Sequence, residues 1–344
     1  MAFAQKANLN DLILPDCKTY RPSLELGSRP KIKEITMRTI VIGAAQMGPI
    51  QKSDNRSAVV ARMLKLLDDA AHSGCDLVVF PELCLTTFFP RWYMTDREEI
   101  DYWFEKSMPN YDTGPLFQAA KTAGIALSFG YAELTQDDRY FNTSILTNKA
   151  GQIVGKYRKV HLPGHKEFDE QRAFQHLEKR YFEPGDLGFP VWRNENAIMG
   201  MCICNDRRWP EVYRCMGLQG VELILLGYNT PSVNSQMQTE GLEERLYHSN
   251  LSITAGAYQN ASWVVGVAKA GSEDGHSLMG GSMIVDPNGF VVAKAKTEAD
   301  ELIVYPCDMD ACNFGKTTIF DFGRHRRIEH YARISNQTGV ELPE

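Results

Sequence analysis

The chain has 344 residues, 43% hydrophobic and 23% charged, with 37 basic against 43 acidic side chains and a formal net charge of −6. That balance suits a globular protein with a substantial core and excludes a surface built generally for nucleic acid or for an anionic membrane. No apolar run approaches the ~20 residues of a membrane span. Residues 1–37 are punctuated by proline and polar residues without a period, and are expected to form an N-terminal arm or extension. Its one greasy piece is DLIL at 11–14, and Asp11, Asp16, Glu25 and Glu34 suit neither a secretory leader nor an acid-poor transit peptide. A cytoplasmic protein is therefore expected.

From Thr39 the pattern changes. TIVIGAAQ (39–46) reads as a strand, and 55–74 as a helix with Val60, Met63, Leu64, Leu67 and Ala71 at helical spacing and Gly74 as its stop. DLVVFPEL (76–83) is a β-branched run broken by Pro81, which places Glu82 at the carboxyl end of a buried strand. A helix over 114–123, a strand over 125–134 and a hairpin made by 141–148 and 153–163 follow. Then come a strand at 197–204, a helix at 208–220, a strand at 221–229, a helix at 240–259 and a strand at 262–270. A hairpin at 282–295 turning on Pro-Asn-Gly and a last strand at 301–310 complete the set. Strands alternating with helices imply a layered α/β architecture. No linker or repeat divides the chain, so one domain over 38–331 with a C-terminal tail at 332–344 is expected.

The eight cysteines, at 17, 75, 84, 202, 204, 215, 307 and 312, are scattered, mostly in apolar runs, and read as reduced and mostly structural. Three strand ends carry reactive groups: Glu82, Lys159 and Cys204. A carboxylate to take a thiol proton, an ammonium to hold an oxyanion and a thiol to attack form a sufficient set for nucleophilic acyl transfer. Taken singly, each is as well explained by an ordinary surface acid, a surface lysine or a small core residue. The alternative of a metal site at Cys202 and Cys204 fits poorly. Zinc ligands are spaced C-x₂₋₄-C with a second pair, and neither is present, so no metal and no cofactor are expected.

FPEL (80–83), YRKVHLPG (157–164) and CICNDRRWPE (202–211) stand in the order and spacing of the nitrilase superfamily of carbon–nitrogen hydrolases. The chain resembles the N-carbamoyl-D-amino acid amidohydrolases more closely still, over about 40–331, with further matches at 85–92, 174–191, 227–231, 257–260 and 325–331. The resemblance implies a four-layer α-β-β-α sandwich. It makes Glu82 the general base, Lys159 the oxyanion stabiliser, Cys204 the nucleophile and Glu178 a second glutamate that positions the lysine. Strand alternation agrees on the nucleophile, since Cys202 and Cys204 share a face and the later one closes the strand. The N–H of Asn205, entering the next helix, would be a second oxyanion donor.

Arg207 and Arg208 grip carboxylates in bidentate fashion and point to an anionic substrate, unless one of them braces a strand or pairs with a structural acid. The resemblance extends the substrate pocket to His161, His176, Asn229, Thr230 and Pro231, where the two histidines could equally be structural. The reaction implied is hydrolysis of N-carbamoyl amino acids, of the D series, to free amino acid, ammonia and carbon dioxide through a cysteine-linked intermediate. A β-ureidopropionase-like amide hydrolase is the alternative within the superfamily, and a non-catalytic scaffold is the alternative outside enzymes. The paired arginines disfavour a cationic carbamoylamine, and the NDRRWPE form disfavours a nitrile. Expected partners are the small-molecule substrate and copies of the chain in a homodimer or homotetramer, with no nucleic acid and no membrane.

Overall fold

In the computed structural model, which describes residues 38–172, 174–237 and 239–344, strand β1 (Thr39–Gln46) already sets the layering. Successive strand side chains point to opposite faces, so Ile40, Ile42 and Ala44 join one buried cluster while Val41 and Ala45 join another. Strands β2 (Leu77–Val79), β3 (Ala126–Leu134), β4 (Tyr140–Thr147) and β5 (Ile153–Arg158) extend the same sheet. A second sheet begins with β6 (Val191–Asn194), β7 (Ala197–Ile203), β8 (Leu223–Tyr228) and β9 (Trp263–Ala268). A two-stranded ribbon of β10 (Ala270–Glu273) and β11 (His276–Met279) interrupts it before β12 (Met283–Val285) and β13 (Val291–Lys294), and β14 (Glu301–Asp308) returns to the first sheet. The two six-stranded orders are β14-β1-β2-β3-β4-β5 and β13-β12-β9-β8-β7-β6. Within them, β1-β2-β3 and β7-β8-β9 are parallel.

Helices Arg56–His72 and Gly114–Ala123 cover the outer face of the first sheet, packing Met63, Leu66, Leu116 and Phe117 on Val78, Leu127 and Phe129. Each such fully buried side chain stabilises the fold by about 1.5–3 kcal/mol. Helices Pro210–Gly217 and Leu242–Asn260 contribute Tyr213, Met216, Ile253 and Ala257 to a core shared with both sheets. The order is helix, sheet, sheet, helix, the four-layer sandwich expected from the sequence. No helix among the described residues is long and apolar enough to cross a membrane. The expected 1–37 arm lies outside the described residues.

Several boundaries differ from the sequence reading for local reasons. Asn55 caps helix Arg56–His72 by accepting from Ala58 N–H, and Gly74 at φ +71° lies just past its end, but the buried stripe is Val59, Val60, Met63, Leu66, Leu67 and Ala70. Leu64 is only half-buried and Ala71 is exposed, because the stripe is turned toward the sheet. The strand expected at 76–83 stops at Val79, ahead of Pro81, which has no N–H to give a ladder. The run 262–270 divides at Lys269, where the chain leaves the sheet for the β10–β11 ribbon. The helix expected over 208–220 is a 3-10 turn, Cys204–Arg208, followed by an α-helix that starts at Pro210, a residue whose fixed φ and missing N–H suit a first turn.

The loop after β2 threads between the sheets. A Cβ placed on Gly130 of β3 would stand 2.7 Å from Glu82 Cα, and one on Gly227 of β8 would stand 2.7 Å from Glu82 N. Two glycines in two sheets thus let their backbones close directly on the backbone of Glu82. A buried ion cluster ties the far end of this loop to the ribbon. Glu273 accepts from Lys269 Nζ at 2.6 Å, from Arg91 Nη2 at 3.1 Å and from Phe88 N–H at 2.6 Å.

Candidate active site

Lys159 follows β5 directly, and its N–H still donates to Asn142 O at 2.8 Å, which keeps it in register with β4. Its ammonium donates to Glu82 Oε1 at 2.7 Å and to Glu178 Oε2 at 2.5 Å, and all three side chains have 0% exposure. Two carboxylates therefore share one buried cation. Burial pushes Glu82 up; Lys159 pulls it down and the charge of Glu178 raises it again, leaving it above the ordinary carboxylate range. For Glu178 burial also acts upward, but Lys159 and His176 outweigh it and hold it low. Lys159 is pushed down by burial yet ends raised, since Cys204, Glu178 and Glu82 all favour its charged form.

Asn142, absent from the sequence reading, donates its Nδ2 to Glu82 Oε1 at 2.7 Å. Glu82 Oε1 therefore has two donors, while Oε2 is buried with no partner among the described residues. The second oxygen is the one able to accept a proton.

Cys204 begins the 3-10 turn at φ +49°, a left-handed conformation that costs a non-glycine residue of order 1–3 kcal/mol and persists only where its surroundings over-determine it. This corrects the alternation argument: β7 ends at Ile203, and the turn, not the pleat, aims the thiol. Cys202 is 1% exposed within the core between the layers. The Cys204 Sγ lies 3.7 Å from Thr230 Oγ1. Burial first, and then the Glu82 charge, raise the thiol above its usual range, against Lys159 and Arg207. A thiol so raised stays protonated at neutral pH until a base removes its proton. Asn205, also expected in a helix, sits instead in the same short turn.

The two arginines have separate placements. Arg207 is buried behind the thiol, donating to Cys204 O at 2.6 Å, Ser249 Oγ at 3.1 Å and Thr230 Oγ1 at 3.2 Å, with its guanidinium 4.7 Å from the Tyr228 ring centroid. It braces the turn, and the expected two-arginine clamp is in this respect corrected. Arg208 lines a cavity of about 610 Å³, where it donates to Asn205 Oδ1 at 3.0 Å and meets no carboxylate among the described residues. Asn205, His176 and Pro231 also line that cavity.

His176 places Nε2 3.1 Å from Glu178 Oε1, so it adjoins both the cavity and the buried cluster. His161 stacks between Trp209 at 4.7 Å and Phe189 at 6.0 Å, with Nδ1 2.9 Å from Asp206 Oδ1. Asn229 is 1% exposed, and neither atom of its amide has a partner among the described residues. Thr230 accepts from Met279 N–H at 2.9 Å, and Pro231 bridges Leu278, so the ribbon pins this loop as well. The geometry brings Glu82, Lys159 and Glu178 into direct contact. The charges of Glu82 and Lys159 act on Cys204, Thr230 and Arg207 contact it, and Asn205, Arg208, His176 and Pro231 line the cavity. Asn142 and Asp206 are the additions.

A family model described as carbon–nitrogen hydrolase matches residues 41–316. An N-carbamoylputrescine amidase of Arabidopsis thaliana is 28% identical over 313 residues, covering 88% of this chain and 97% of that protein. A nitrilase of Pyrococcus abyssi (strain GE5 / Orsay) is 30% identical over 272 residues, covering 78% of this chain and 91% of that one. Among solved structures, a carbon–nitrogen hydrolase from Helicobacter pylori G27 superposes with a TM-score of 0.74 at 22% identity, over 88% of this chain and 99% of its own, a likeness of fold.

Proposed function

This chain belongs to the carbon–nitrogen hydrolase family, and from that premise we propose that it hydrolyses the ureido C–N bond of N-carbamoyl amino acids. The observation that carries the chemistry is the buried Lys159 between Glu82 and Glu178, with Glu82 Oε2 left without a partner among the described residues and the charge of Glu82 acting on the Cys204 thiol. Glu82 takes the Cys204 proton, and the thiolate attacks the ureido carbonyl. Lys159 and the Asn205 N–H hold the oxyanion. The tetrahedral intermediate collapses with proton transfer from Glu82 to the leaving nitrogen, and ammonia departs. Glu82 then deprotonates water, which attacks the thioester and returns the thiol. The N-carboxy amino acid released loses carbon dioxide to give the free amino acid. One carboxylate serves both half-reactions as base and acid.

Arg208 supports a substrate that carries a carboxylate, because it is a cation facing the cavity with no acid of its own. Similarity to the plant amidase favours a second reading, a cationic carbamoylamine. The cavity carboxylate that would hold such an amine, Glu240, is already bonded to Arg245, His248 and Asn234. The D configuration rests on sequence resemblance. Ammonia release measured over D- and L-N-carbamoyl amino acids, β-ureidopropionate, N-carbamoylputrescine and simple amides tests the proposal. The D-N-carbamoyl acids are expected to lead, and Cys204→Ala to lose at least ~10⁴-fold in kcat. A preference for N-carbamoylputrescine overturns the substrate class, and wild-type turnover by Cys204→Ala overturns the mechanism.

A further inference from the structure

Asp206 is fully buried in the turn that begins at the nucleophile, and its carboxylate makes four hydrogen-bonding contacts with three residues. Its Oδ2 accepts from the Tyr157 hydroxyl at 2.7 Å and from Ile203 N–H at 3.1 Å. Its Oδ1 accepts from His161 N–H at 2.9 Å and lies 2.9 Å from His161 Nδ1. Tyr157 and His161 stand two residues before and two residues after Lys159, and Ile203 stands immediately before Cys204. One carboxylate thus holds both flanks of the lysine, which leaves the first sheet, and the near flank of the thiol, which leaves the second.

We propose that Asp206 is a positioning residue that sets Lys159 against Cys204 across the two sheets, a role that rests on reading Cys204 as nucleophile and Lys159 as oxyanion donor. Only an ionised carboxylate supplies acceptors to four converging donors. An amide at this place turns an N–H₂ toward two of them. Asp206 Oδ1 also faces Nδ1 of His161 at 2.9 Å and so orients its ring. Through His161 the order passes to Trp209, stacked at 4.7 Å, which lines the cavity. The strained Cys204 is held on both sides: Asp206 takes the N–H of the preceding Ile203, and Arg207 donates to the Cys204 carbonyl. Such a residue acts on rate more than on binding, because displacing a reacting group by about 1 Å costs on the order of 10²-fold.

Asp206→Asn in the full chain is the test, assayed on whichever amide or carbamoyl compound the wild type turns over fastest, so that a wrong substrate class leaves the comparison readable. The expected result is a fall in kcat of about 10²-fold with KM within about threefold. Alkylation of Cys204 by iodoacetamide, followed by mass spectrometry, forms no oxyanion, and its rate is expected to stay within about threefold. Tyr157→Phe, which removes one of the four bonds, is expected to lower kcat about tenfold and to add nothing further in combination with Asp206→Asn. A kcat for Asp206→Asn within threefold of wild type overturns the proposal. So does a loss of turnover matched by equal losses in alkylation rate and melting temperature, which would mark general collapse. If Asp206→Asn does not fold, Tyr157→Phe decides alone, and an unchanged kcat there overturns it.

Discussion

At the scale of single residues, the site turns on how one ammonium is divided between two acids. Glu82 and Glu178 contact the same Lys159 Nζ, yet the first is raised and the second lowered. His176 adds its bond to Glu178 alone. The groups facing Glu82 are Lys159, Asn142, Glu178 and Cys204, and two of them can be removed with opposite consequences. The Asn142 bond favours the charged carboxylate, so Asn142→Ala should raise Glu82 further and move the acid limb of kcat/KM to higher pH. The charge of Glu178 disfavours it, so Glu178→Gln should move the same limb to lower pH. Both variants should lose about 10²-fold or more in kcat, and profiles shifting in the same direction would remove Glu82 from the role of base. Glu82, Lys159 and Cys204 could be singled out from the sequence by the motifs around them, and Glu178 by the family resemblance. Asn142 and Asp206 could not. Each is a polar residue in an ordinary run, and its meaning comes from partners as far off as Glu82, 60 residues away, or Tyr157, 49 residues away.

At the scale of elements, β3 and β8 matter most for what they lack. Gly130 and Gly227 admit the Glu82 backbone at a distance no side chain would allow. Gly227→Ala would force its methyl onto backbone atoms, which have no rotamer to yield. A loss of about 1–3 kcal/mol in stability is expected, with a disproportionate fall in kcat as Glu82 is displaced. Urea unfolding and steady-state kinetics on the same preparation would separate the two. The main strands and helices could be read from periodicity, and their ends mostly fell within a few residues. The β10–β11 ribbon could not, since the strand reading ran unbroken through Lys269 to 270 and nothing marked 271–279 as paired. Lys269 and Glu273 are buried because they satisfy each other. The α-helix expected over 208–220 forms at Pro210–Gly217, and what the sequence did not reveal is the tight turn before it at Cys204, whose positive φ leaves no periodic trace.

Across the whole molecule, the ribbon joins segments that are distant in the chain. Glu273 and Asp274 hold Thr87, Phe88 and Arg91 beyond the Glu82 loop, while Ser277 and Met279 pair with Ser232 and Thr230 near the thiol. Lys269 and Glu273 are both at 0% exposure, so Lys269→Met strips a buried carboxylate of a partner and leaves Arg91 to compensate in part. A destabilisation of about 3 kcal/mol is expected, toward the low end for a broken buried pair, and is measurable as a lower urea midpoint at unchanged slope. An unchanged midpoint would show that the cluster is held by packing and not by charge.

The cavity wall and the reacting groups are drawn from different parts of the fold. Leu162, Phe174, Val233 and Ser235 line the cavity from loops, whereas Lys159 and Cys204 directly follow strands and Glu82 stands three residues past one. Recognition and bond cleavage are therefore separable inheritances. The loops can drift, lengthen or be exchanged to admit a different acid or amine while the buried trio proposed for catalysis stays as it is.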